Sequence, residues 1–295
     1  MLTNKRSEMI AASVLVAPAL IVFAVIFVYP TLQMIALSFT NAPLIGAGAW
    51  VGLDNFIAEL TSPLFGQSLL NTIYFVVLSV FPGTILALLI AMGVNRQKGW
   101  VQGFVLAAFF LPSILPVSVV TLVWNWMCNV QYGVLQPVLA LFFGHRVPVF
   151  RLQGTFMPMI ALLTIWWTIG FNVLLFIAAL RNVSVDIYEA AALDNTSRWR
   201  VFSQITWPLI WPVTALVLTL QLIAQIKIFS QAYLLGQANG VKIETSTTLM
   251  KAVYDLAFAQ NKGGAADAVA VLVFLLIIVM SVLQYQFLSA RGKKK

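Results

Sequence analysis

The chain has 295 residues, of which 61% are hydrophobic and 9% are charged, and its formal net charge at pH 7 is +8. A soluble domain carries about 25% charged residues, so this composition excludes an ordinary soluble protein and indicates a chain that lies in lipid. The excess of Lys and Arg does not indicate a nucleic-acid-binding protein, because these residues lie in short segments between long apolar runs, where they report membrane orientation.

The first apolar stretch follows Lys5 and Arg6, the arrangement found in signal peptides. It continues without a charged residue from Met9 to Leu53, whereas the apolar part of a signal peptide has about 7–15 residues. We therefore predict that this stretch is a first transmembrane helix that stays in the protein.

Six segments are long and apolar enough to cross about 30 Å of hydrocarbon, which takes about 20 residues of helix. We predict helices over residues 10–37, 69–94, 101–127, 156–180, 209–235 and 268–288. A seventh apolar stretch, 134–143, is too short to cross and is predicted to be an interfacial or re-entrant helix. The sequence thus predicts an all-α membrane protein with six transmembrane helices in a single domain over 1–295.

The basic residues predict the orientation of these helices. With the amino terminus inside, eleven Lys and Arg residues fall in inner segments and five in outer loops. The outer connection Ser38–Ser68 contains Asp54 and Glu59 but no Lys or Arg. Because cytoplasmic loops carry the excess of Lys and Arg, both termini are predicted to be cytoplasmic.

Five prolines interrupt the predicted spans, and each removes a backbone donor: Pro18, Pro30, Pro82, Pro112 and Pro116. Such breaks persist in membranes where neighbours or a water-filled cavity satisfy the freed carbonyls, which fits a transport pathway. Proline is also simply more common in transmembrane helices than in soluble ones. Both explanations remain open at this point.

An inner segment, residues 182–207, joins the fourth and fifth predicted spans and has the pattern of two short helices at an angle. Ser184 can cap the first helix, Asp186 lies in its first turn, and an apolar face follows at Ile187, Ala190, Ala191 and Leu193. Asn195 tolerates the left-handed conformation that closes a helix. Thr196 or Ser197 can cap the second helix, and Pro208 and Pro212 then open the fifth span.

These residues resemble the EAA loop of the membrane subunits of binding-protein-dependent ABC importers. The family pattern runs Glu-Ala-Ala, Asp-Gly-Ala, Phe, Ile, Leu-Pro and Pro, and the matching residues are Glu189, Ala190, Ala191, Asp194, Phe202, Ile205, Pro208 and Pro212. Asn195 and Thr196 replace the usual Gly-Ala, and Trp207 replaces the usual Leu. Because Asn can serve the same turn as Gly, we expect the fold of the loop to survive.

The resemblance implies that this segment docks in a cleft of a separate ATPase subunit. The residues expected to take part in this coupling are Tyr188, Glu189, Ala190, Ala191, Asp194, Asn195, Arg198 and Phe202. Small Ala side chains permit close approach, and a rigid-body movement of the ATPase can then pass to the spans. The alternative is an amphipathic helix that rests on the membrane surface.

The resemblance covers nearly the whole chain and extends to the sugar-type subfamily that is similar to the maltose permeases. Its further marks are VGLDNF at Val51–Phe56, Asn71-Thr72, FFLPSILP at Phe109–Pro116, Lys227-Ile228-Phe229 and Thr248-Leu249. One outer stretch differs, because LGQANG replaces the usual Thr-Gly-Gly-Pro.

What this resemblance implies is a permease subunit in the bacterial cytoplasmic (inner) membrane with several partners. They are a second, related permease subunit, two copies of an ATP-binding subunit, and a solute-binding protein that meets the loop Ser38–Ser68 and the stretch after Leu235. The solute would be a sugar or a sugar-like compound, neutral or anionic. The competing hypothesis is a stand-alone carrier driven by an ion gradient, with Lys227 and Asp267 as its ionisable groups.

Polar residues in the predicted spans are candidates for the solute path. Lys227 lies within the fifth predicted span, and Gln221 and Gln225 are four residues apart and share one helix face. Lys227 can equally have a structural role, pairing with backbone carbonyls or extending to the interface. Trp124 and Asn125 in the third span, and Asn172 in the fourth, offer the aromatic faces and amide groups that sugars use, although Trp also anchors helices at membrane interfaces.

The sequence offers no catalytic set, cofactor site or metal site. The one His, His145, lies in an outer loop, and the one Cys, Cys128, lies in an apolar helix without a second thiol. A GxxxxGK[ST] phosphate-binding loop is missing from the sequence. We therefore predict a transport subunit that is not an enzyme and that depends on another polypeptide for ATP hydrolysis.

Overall fold

The fold was described from a computed structural model, which covers residues 5–97, 99–194 and 196–292. The described residues form helices joined by short loops, with one isolated β-bridge between Thr40 and Trp50. The helices are α1 (Lys5–Phe23), α2 (Tyr29–Leu37), α3 (Asp54–Leu60), α4 (Pro63–Asn95), α5 (Gly99–Ile114), α6 (Val117–Met127), α7 (Gln136–Phe143), α8 (Gln153–Arg181), α9 (Val185–Leu193), α10 (Arg198–Val201), α11 (Trp207–Ile226), α12 (Ser230–Asn239), α13 (Ile243–Ser246), α14 (Leu249–Tyr254) and α15 (Gly263–Gly292). The predicted class, an all-α membrane protein, is confirmed.

Helices of sufficient length and apolarity to cross a bilayer number five in the described chain: Ala12–Leu37, Pro63–Asn95, Gln153–Arg181, Arg198–Ile226 and Gly263–Gln286. A sixth span is obtained if α5 and α6, which meet at a bend of 102°, are counted together. The short apolar stretch predicted over 134–143 forms α7, which ends at Gly144 in the left-handed conformation.

The third span, predicted as one helix over 101–127, consists of two helices, α5 and α6. Pro116 adopts an extended conformation (φ −59°, ψ 143°) and caps α6, and the backbone N–H of Leu115 bonds to the carbonyl of Pro112. Because Pro116 has no N–H and disfavours the α conformation in the residue before it, α5 ends at Ile114 and the chain turns sharply.

The chain divides into two compact units. One unit contains the chain up to Ser62 together with Ala252–Phe274, and the other contains Pro63–Lys251 and the chain from Leu275 onward. Helices α14 and α15 contribute residues to both units.

The first unit contains the first membrane helix and the loop that follows it. A π-helical turn, Ala24–Val28, joins α1 to α2. In the loop, the side chain of Asn55 donates to the carbonyls of Ser38 (2.9 Å) and Thr40 (2.7 Å). Asn55, which belongs to the VGLDNF motif, therefore holds this loop against the end of α2.

The same loop packs closely on the start of α15. The backbone N–H of Gly264 donates to the carbonyl of Ala42 over 2.9 Å, and any Cβ atom at Gly264 would overlap the carbonyl oxygen of Thr40. Burial raises the pKa of the Glu59 carboxyl above its ordinary value, and the nearby Lys262 ammonium offsets only part of this rise. The loop and α15 are thus joined by backbone contacts that leave no room for a side chain at this position.

The second unit is built around the long helices α4 and α8. One hydrophobic cluster joins α4 and α8 to α6, with Phe75, Phe156 and Ile160 completely buried. A second joins α4 and α8 to α11, with Ala87, Phe176 and Ile210 completely buried. Gly170 lets α8 approach α5, because a Cβ atom there would overlap the backbone of Phe109 and Phe110.

Candidate functional site

The segment predicted to couple to an ATPase, 182–207, begins as the sequence indicates. The hydroxyl of Ser184 caps α9 by accepting from the backbone N–H of Asp186 (3.3 Å). After α9, the backbone N–H of Thr196 bonds to the carbonyl of Ala191 (3.2 Å). Ser197 caps α10 by accepting from the N–H of Arg200 (3.4 Å). Two helices joined by a turn are therefore present, while Asn195 in that turn lies outside the described residues.

The second of these helices is not short, which corrects the prediction. From Arg198 the chain stays helical to Ile226, passing through a π-helical turn at Phe202–Thr206. Pro208 lies in the first turn of α11, as predicted, and Pro212 lies inside it, but the long helix that contains both begins earlier, at Arg198. The wider turn, in which the N–H of Trp207 bonds to the carbonyl of Phe202, comes directly before Pro208, where the regular backbone bonding is interrupted in any case.

The structure divides the seven coupling residues that it describes, which leave out Asn195, into two sets. Glu189, Ala190 and Asp194 are exposed, on the side of the coupling segment that faces away from the rest of the chain. The others face their own chain, where Ala191 is buried and the hydroxyl of Tyr188 shares a 3.1 Å hydrogen bond with that of Thr206. This bond joins α9 to the turn that leads into α11.

Arg198 and Phe202 complete the inward set. They line a groove of about 510 Å³ between the coupling segment and the carboxyl ends of α4 and α8. The other lining residues are Met92, Asn95, Arg96, Leu180, Tyr188, Ala191, Ala192, Thr196, Val201 and Thr206. The segment thus lies against the ends of two spans.

The apolar face expected on α9 is not a single buried face. Ala191 is 7% exposed, but Leu193 is 86% exposed and Ile187 is 39% exposed. Ala190 is also exposed. In this chain, α9 therefore presents apolar side chains to solvent next to Glu189, a pattern typical of a surface that binds another protein.

Three of the residues predicted to line a path come together in a groove of about 360 Å³ in the second unit. Asn172 on α8 and Gln221 and Gln225 on α11 all line it, and each is at least 93% buried. The side chain of Gln225 donates to that of Gln221 over 3.0 Å. The Nδ2 atom of Asn172 has no hydrogen-bond acceptor among the residues that the structure describes. The groove therefore brings together amide groups from α8 and α11.

Trp167 and the broken third span form another wall of this groove. Ser113, Trp167, Thr168 and Phe171 line it, and the indole N–H of Trp167 donates to the carbonyl of Leu115 over 3.1 Å. That carbonyl lies at the break before Pro116, where regular helix bonding stops. A side chain of the fourth span thus satisfies the backbone of the third.

Trp124 and Asn125, predicted as path residues, lie elsewhere. Trp124 is 7% exposed and packs edge-on against Trp166, with ring centroids 5.9 Å apart, in the hydrophobic cluster. Asn125 accepts a 2.8 Å hydrogen bond from Asn239 on α12 and lines a separate cavity of about 460 Å³ together with Arg151. The structure therefore does not join these two residues to Asn172.

Lys227 does not lie inside a continuous helix, because the predicted fifth span, 209–235, breaks there. Helix α11 ends at Ile226, Lys227 is its exposed cap, and α12 begins at Ser230. The carbonyl of Ile228, freed by this break, accepts a 2.9 Å hydrogen bond from Thr248. The stretch LGQANG, which differs from the family, forms the end of α12 and closes on Gly240 in the left-handed conformation.

Two family marks without a predicted role meet beside this break. The hydroxyl of Thr72 accepts from the N–H of Leu249 over 3.0 Å. The side chain of Asn71 donates to the carbonyls of Glu244 (2.8 Å) and Thr247 (2.9 Å). Asn71-Thr72 and Thr248-Leu249 therefore attach the stretch after α12 to α4.

Sequence reasoning missed Thr168 and Ser113 as groove residues, although signals were present. Thr168 precedes Asn172 by four residues and so shares its helix face. Ser113 lies between Pro112 and Pro116, the prolines that disturb the third span. Metal ligation gains no support, since groups of three or more possible ligands are missing from the described residues, and Cys128 is buried.

Comparison with known proteins places this fold among transport subunits. Residues 83–293 match the family described as "Binding-protein-dependent transport system inner membrane component". The inner membrane ABC transporter permease protein YcjO of Escherichia coli (strain K12) is 30% identical over 301 residues, with 99% of each chain covered. The arabinooligosaccharides transport system permease protein AraP of Bacillus subtilis (strain 168) is 28% identical over 278 residues, which cover 94% of this chain and 88% of AraP.

The fold has a counterpart among solved structures. A chain in the crystal structure of a bacterial ABC transporter involved in the import of the acidic polysaccharide alginate superposes with a TM-score of 0.83. It is 24% identical, and 99% of this chain and 98% of that chain are covered. These comparisons confirm the resemblance to importer membrane subunits and leave the ion-coupled carrier hypothesis without support. Because the family match spans well over half of the sequence, the chain belongs to the inner-membrane components of binding-protein-dependent transport systems.

Proposed function

We propose that this chain is the permease subunit of an ATP-driven importer and that it forms part of the translocation path for a sugar or a sugar-like solute. It works with a second, related permease subunit, two ATP-binding subunits and a solute-binding protein. It is a transport subunit without catalytic chemistry of its own, and ATP is hydrolysed by the separate subunits. Both termini, and with them the coupling segment 182–207, lie on the cytoplasmic side.

The observation that carries this proposal is the groove lined by Asn172, Gln221 and Gln225. Side-chain amides offer both donors and acceptors, as the hydroxyl groups of a sugar require. The indole ring of Trp167 adds an aromatic surface beside them. Because the Nδ2 donor of Asn172 is buried without an acceptor among the residues that the structure describes, a hydroxyl group that reaches it during transport would relieve the cost of about 1–3 kcal/mol that such a donor incurs.

The substrate class is supported by the relatives. AraP is named for arabinooligosaccharides, and the transporter of similar fold imports alginate, an acidic polysaccharide. No Asp, Glu, Lys or Arg is among the described residues that line the groove of Asn172. A neutral groove of amide and aromatic groups is suited to weak binding of a hydroxylated solute that must also be released.

Coupling to the ATPase follows from the two sets of residues in the inner segment. Glu189, Ala190 and Asp194 face outward, so they are available to enter the cleft of an ATP-binding subunit. Tyr188 and Ala191 hold α9 against the rest of the chain. A displacement of the ATPase is thereby transmitted through the Tyr188–Thr206 bond to α11, which carries Gln221 and Gln225.

The substrate class is tested by ATPase stimulation of the reconstituted importer. The complex is assembled in liposomes with its binding protein, and the ATPase rate is measured with a panel of mono- and oligosaccharides, amino acids and metal ions. We expect stimulation by a saccharide-loaded binding protein and none by the other two classes. Stimulation only by an amino acid or a metal ion would contradict the proposed substrate class.

A further inference from the structure

The groove between the coupling segment and the ends of α4 and α8 is lined in part by the coupling residues Tyr188, Ala191, Arg198 and Phe202. Its volume of about 510 Å³ is within the range of small-molecule sites, about 300–1,000 Å³. Residues from the end of α4, from the end of α8 and from the coupling segment converge on it. A ligand held there would bridge the spans and the coupling segment.

The charge in this groove is uncompensated. Arg96, which follows α4, and Arg198, which begins α10, both line it, whereas Asp and Glu are missing from its twelve described lining residues. Both arginines are exposed, and neither guanidinium has a hydrogen-bond or ion-pair partner in the part of the chain that the structure describes. By contrast, Arg181 donates to the side chain of Gln102 over 2.7 Å.

The remaining walls combine polar and apolar groups. The amide of Asn95 and the hydroxyls of Tyr188 and Thr196 can donate further hydrogen bonds to an anion. Met92 and Leu180 line the same space with apolar side chains. Two forked guanidinium groups next to apolar surface suit a ligand that has a phosphate at one end and hydrocarbon at the other.

The position of the groove indicates where that ligand comes from. The groove lies at the ends of α4 and α8 and at the start of the helix Arg198–Ile226, all of which are membrane-spanning candidates. This is the level of the membrane–water interface, where Trp is enriched, and Trp207 packs against Phe202, with ring centroids 6.1 Å apart. Anionic lipid headgroups occupy the cytoplasmic interface, and basic pockets between transmembrane helices bind them.

We infer that this groove binds the phosphate group of an anionic phospholipid through Arg96 and Arg198, with the lipid's hydrocarbon against Met92 and Leu180. The inference rests on the proposed function, which places this end of the spans at the cytoplasmic leaflet. The bound headgroup joins the end of α4 to the start of α10 and so stabilises the coupling segment in its position against the spans. Free inorganic phosphate shares the chemistry of the headgroup but lacks the hydrocarbon that the apolar wall accommodates.

The test measures lipid retention by the assembled importer. Complexes in phosphatidylcholine nanodiscs are titrated with phosphatidylglycerol, and retained lipid is counted by native mass spectrometry for the wild type, Arg96→Gln, Arg96→Lys and Arg200→Gln. Arg200 is a matched control, since it is an exposed arginine on α10, the helix of Arg198, and does not line the groove. A further arm adds inorganic phosphate to complexes in phosphatidylcholine alone and measures their thermal stability.

We expect Arg96→Gln to weaken phosphatidylglycerol binding about fivefold, the effect of one basic residue at a membrane surface. Arg96→Lys should retain most of the binding, and Arg200→Gln should bind as the wild type does. Equal lipid retention by Arg96→Gln and the wild type would overturn the inference. So would stabilisation by inorganic phosphate equal to that by the lipid, which would identify a site for free anions, or loss of the ATP-binding subunits from Arg96→Gln without any change in lipid binding.

Failure of this inference can be told apart from failure of the proposed function. The proposed function requires saccharide-stimulated ATP hydrolysis by the wild-type importer, and this is measured in neutral lipid without phosphatidylglycerol. If that activity is present and lipid retention does not depend on Arg96, only the lipid site is lost. If the activity is missing, the proposed function itself fails.

Discussion

Reversal of the charge at Glu189, in the variant Glu189→Arg, is expected to reduce retention of the ATP-binding subunits at least about tenfold during purification. Glu189 is exposed on the outward side of α9, which is held to its own chain by the bond between Tyr188 and Thr206. A reversed charge in a docked surface loses its partner and repels the groups that it met, and removal of one partner of a buried charge pair costs about 2–5 kcal/mol. Co-purification from mild detergent measures the effect.

The matched control is Asp54→Arg, a charge reversal at an exposed residue in the first turn of α3. This residue belongs to the loop predicted to lie outside, so Asp54→Arg should retain the ATP-binding subunits fully. Equal retention by Glu189→Arg and the wild type would show that α9 rests on the membrane or on another part of the complex.

Replacement of Asn172 by leucine is expected to stabilise the protein and to impair transport. The Nδ2 donor of Asn172 is buried without an acceptor among the described residues, and removal of such a group recovers about 1–3 kcal/mol of unfolding free energy. The same change removes an amide from the groove shared with Gln221 and Gln225. Loss of hydrogen bonds to the solute should lower uptake about five- to tenfold.

Thr164→Val is the control for Asn172→Leu. Thr164 is on the same helix and is 1% exposed, but its hydroxyl is satisfied within the helix by the carbonyl of Ile160 (2.8 Å). Thermal unfolding and solute uptake in liposomes should both stay close to the wild type for this variant. An Asn172→Leu protein that is destabilised, or one that transports normally, would remove Asn172 from the path. Stabilisation together with loss of function is the pattern found where an active region carries strained or unpaired groups.

Sequence reasoning predicted the membrane helices well because length and apolarity decide whether a helix can span a bilayer. It placed α8 within three residues at each end and α4 within six, Ser184 caps α9 as expected, and Ser197 is the one of the two candidates that caps α10. These features depend on residues that are close in sequence, so local rules are sufficient to predict them.

The breaks in the third and fifth spans were harder to predict. Pro112 and Pro116 indicated that the third span is irregular, but they did not predict a bend of 102°. The bend is stabilised by Trp167, on another helix, which donates to the carbonyl of Leu115. The break at Lys227 is likewise stabilised by Thr248, whose hydroxyl donates to the carbonyl of Ile228 from twenty residues further along the chain. Partners of this kind are set by tertiary packing, which periodicity does not report.

The candidate path shows the same limit. Spacing placed Gln221 and Gln225 on one face, and the structure brings Asn172, which was predicted from its residue type, to the same groove from another helix. Residue type alone put Trp124 and Asn125 in the same set, but Trp124 packs in the hydrophobic cluster and Asn125 bonds to Asn239. An amide or an indole group suits a sugar site equally well in either environment, and only the packing distinguishes the two.

The dependence of transport on ATP is measured as solute uptake by liposomes that contain the purified permease pair, with and without the ATP-binding subunits. We expect that a radiolabelled saccharide delivered by the binding protein accumulates only when the ATP-binding subunits and ATP are both present. Accumulation by the permease chains alone, driven by a proton or sodium gradient and indifferent to ATP, would contradict it and restore the carrier hypothesis.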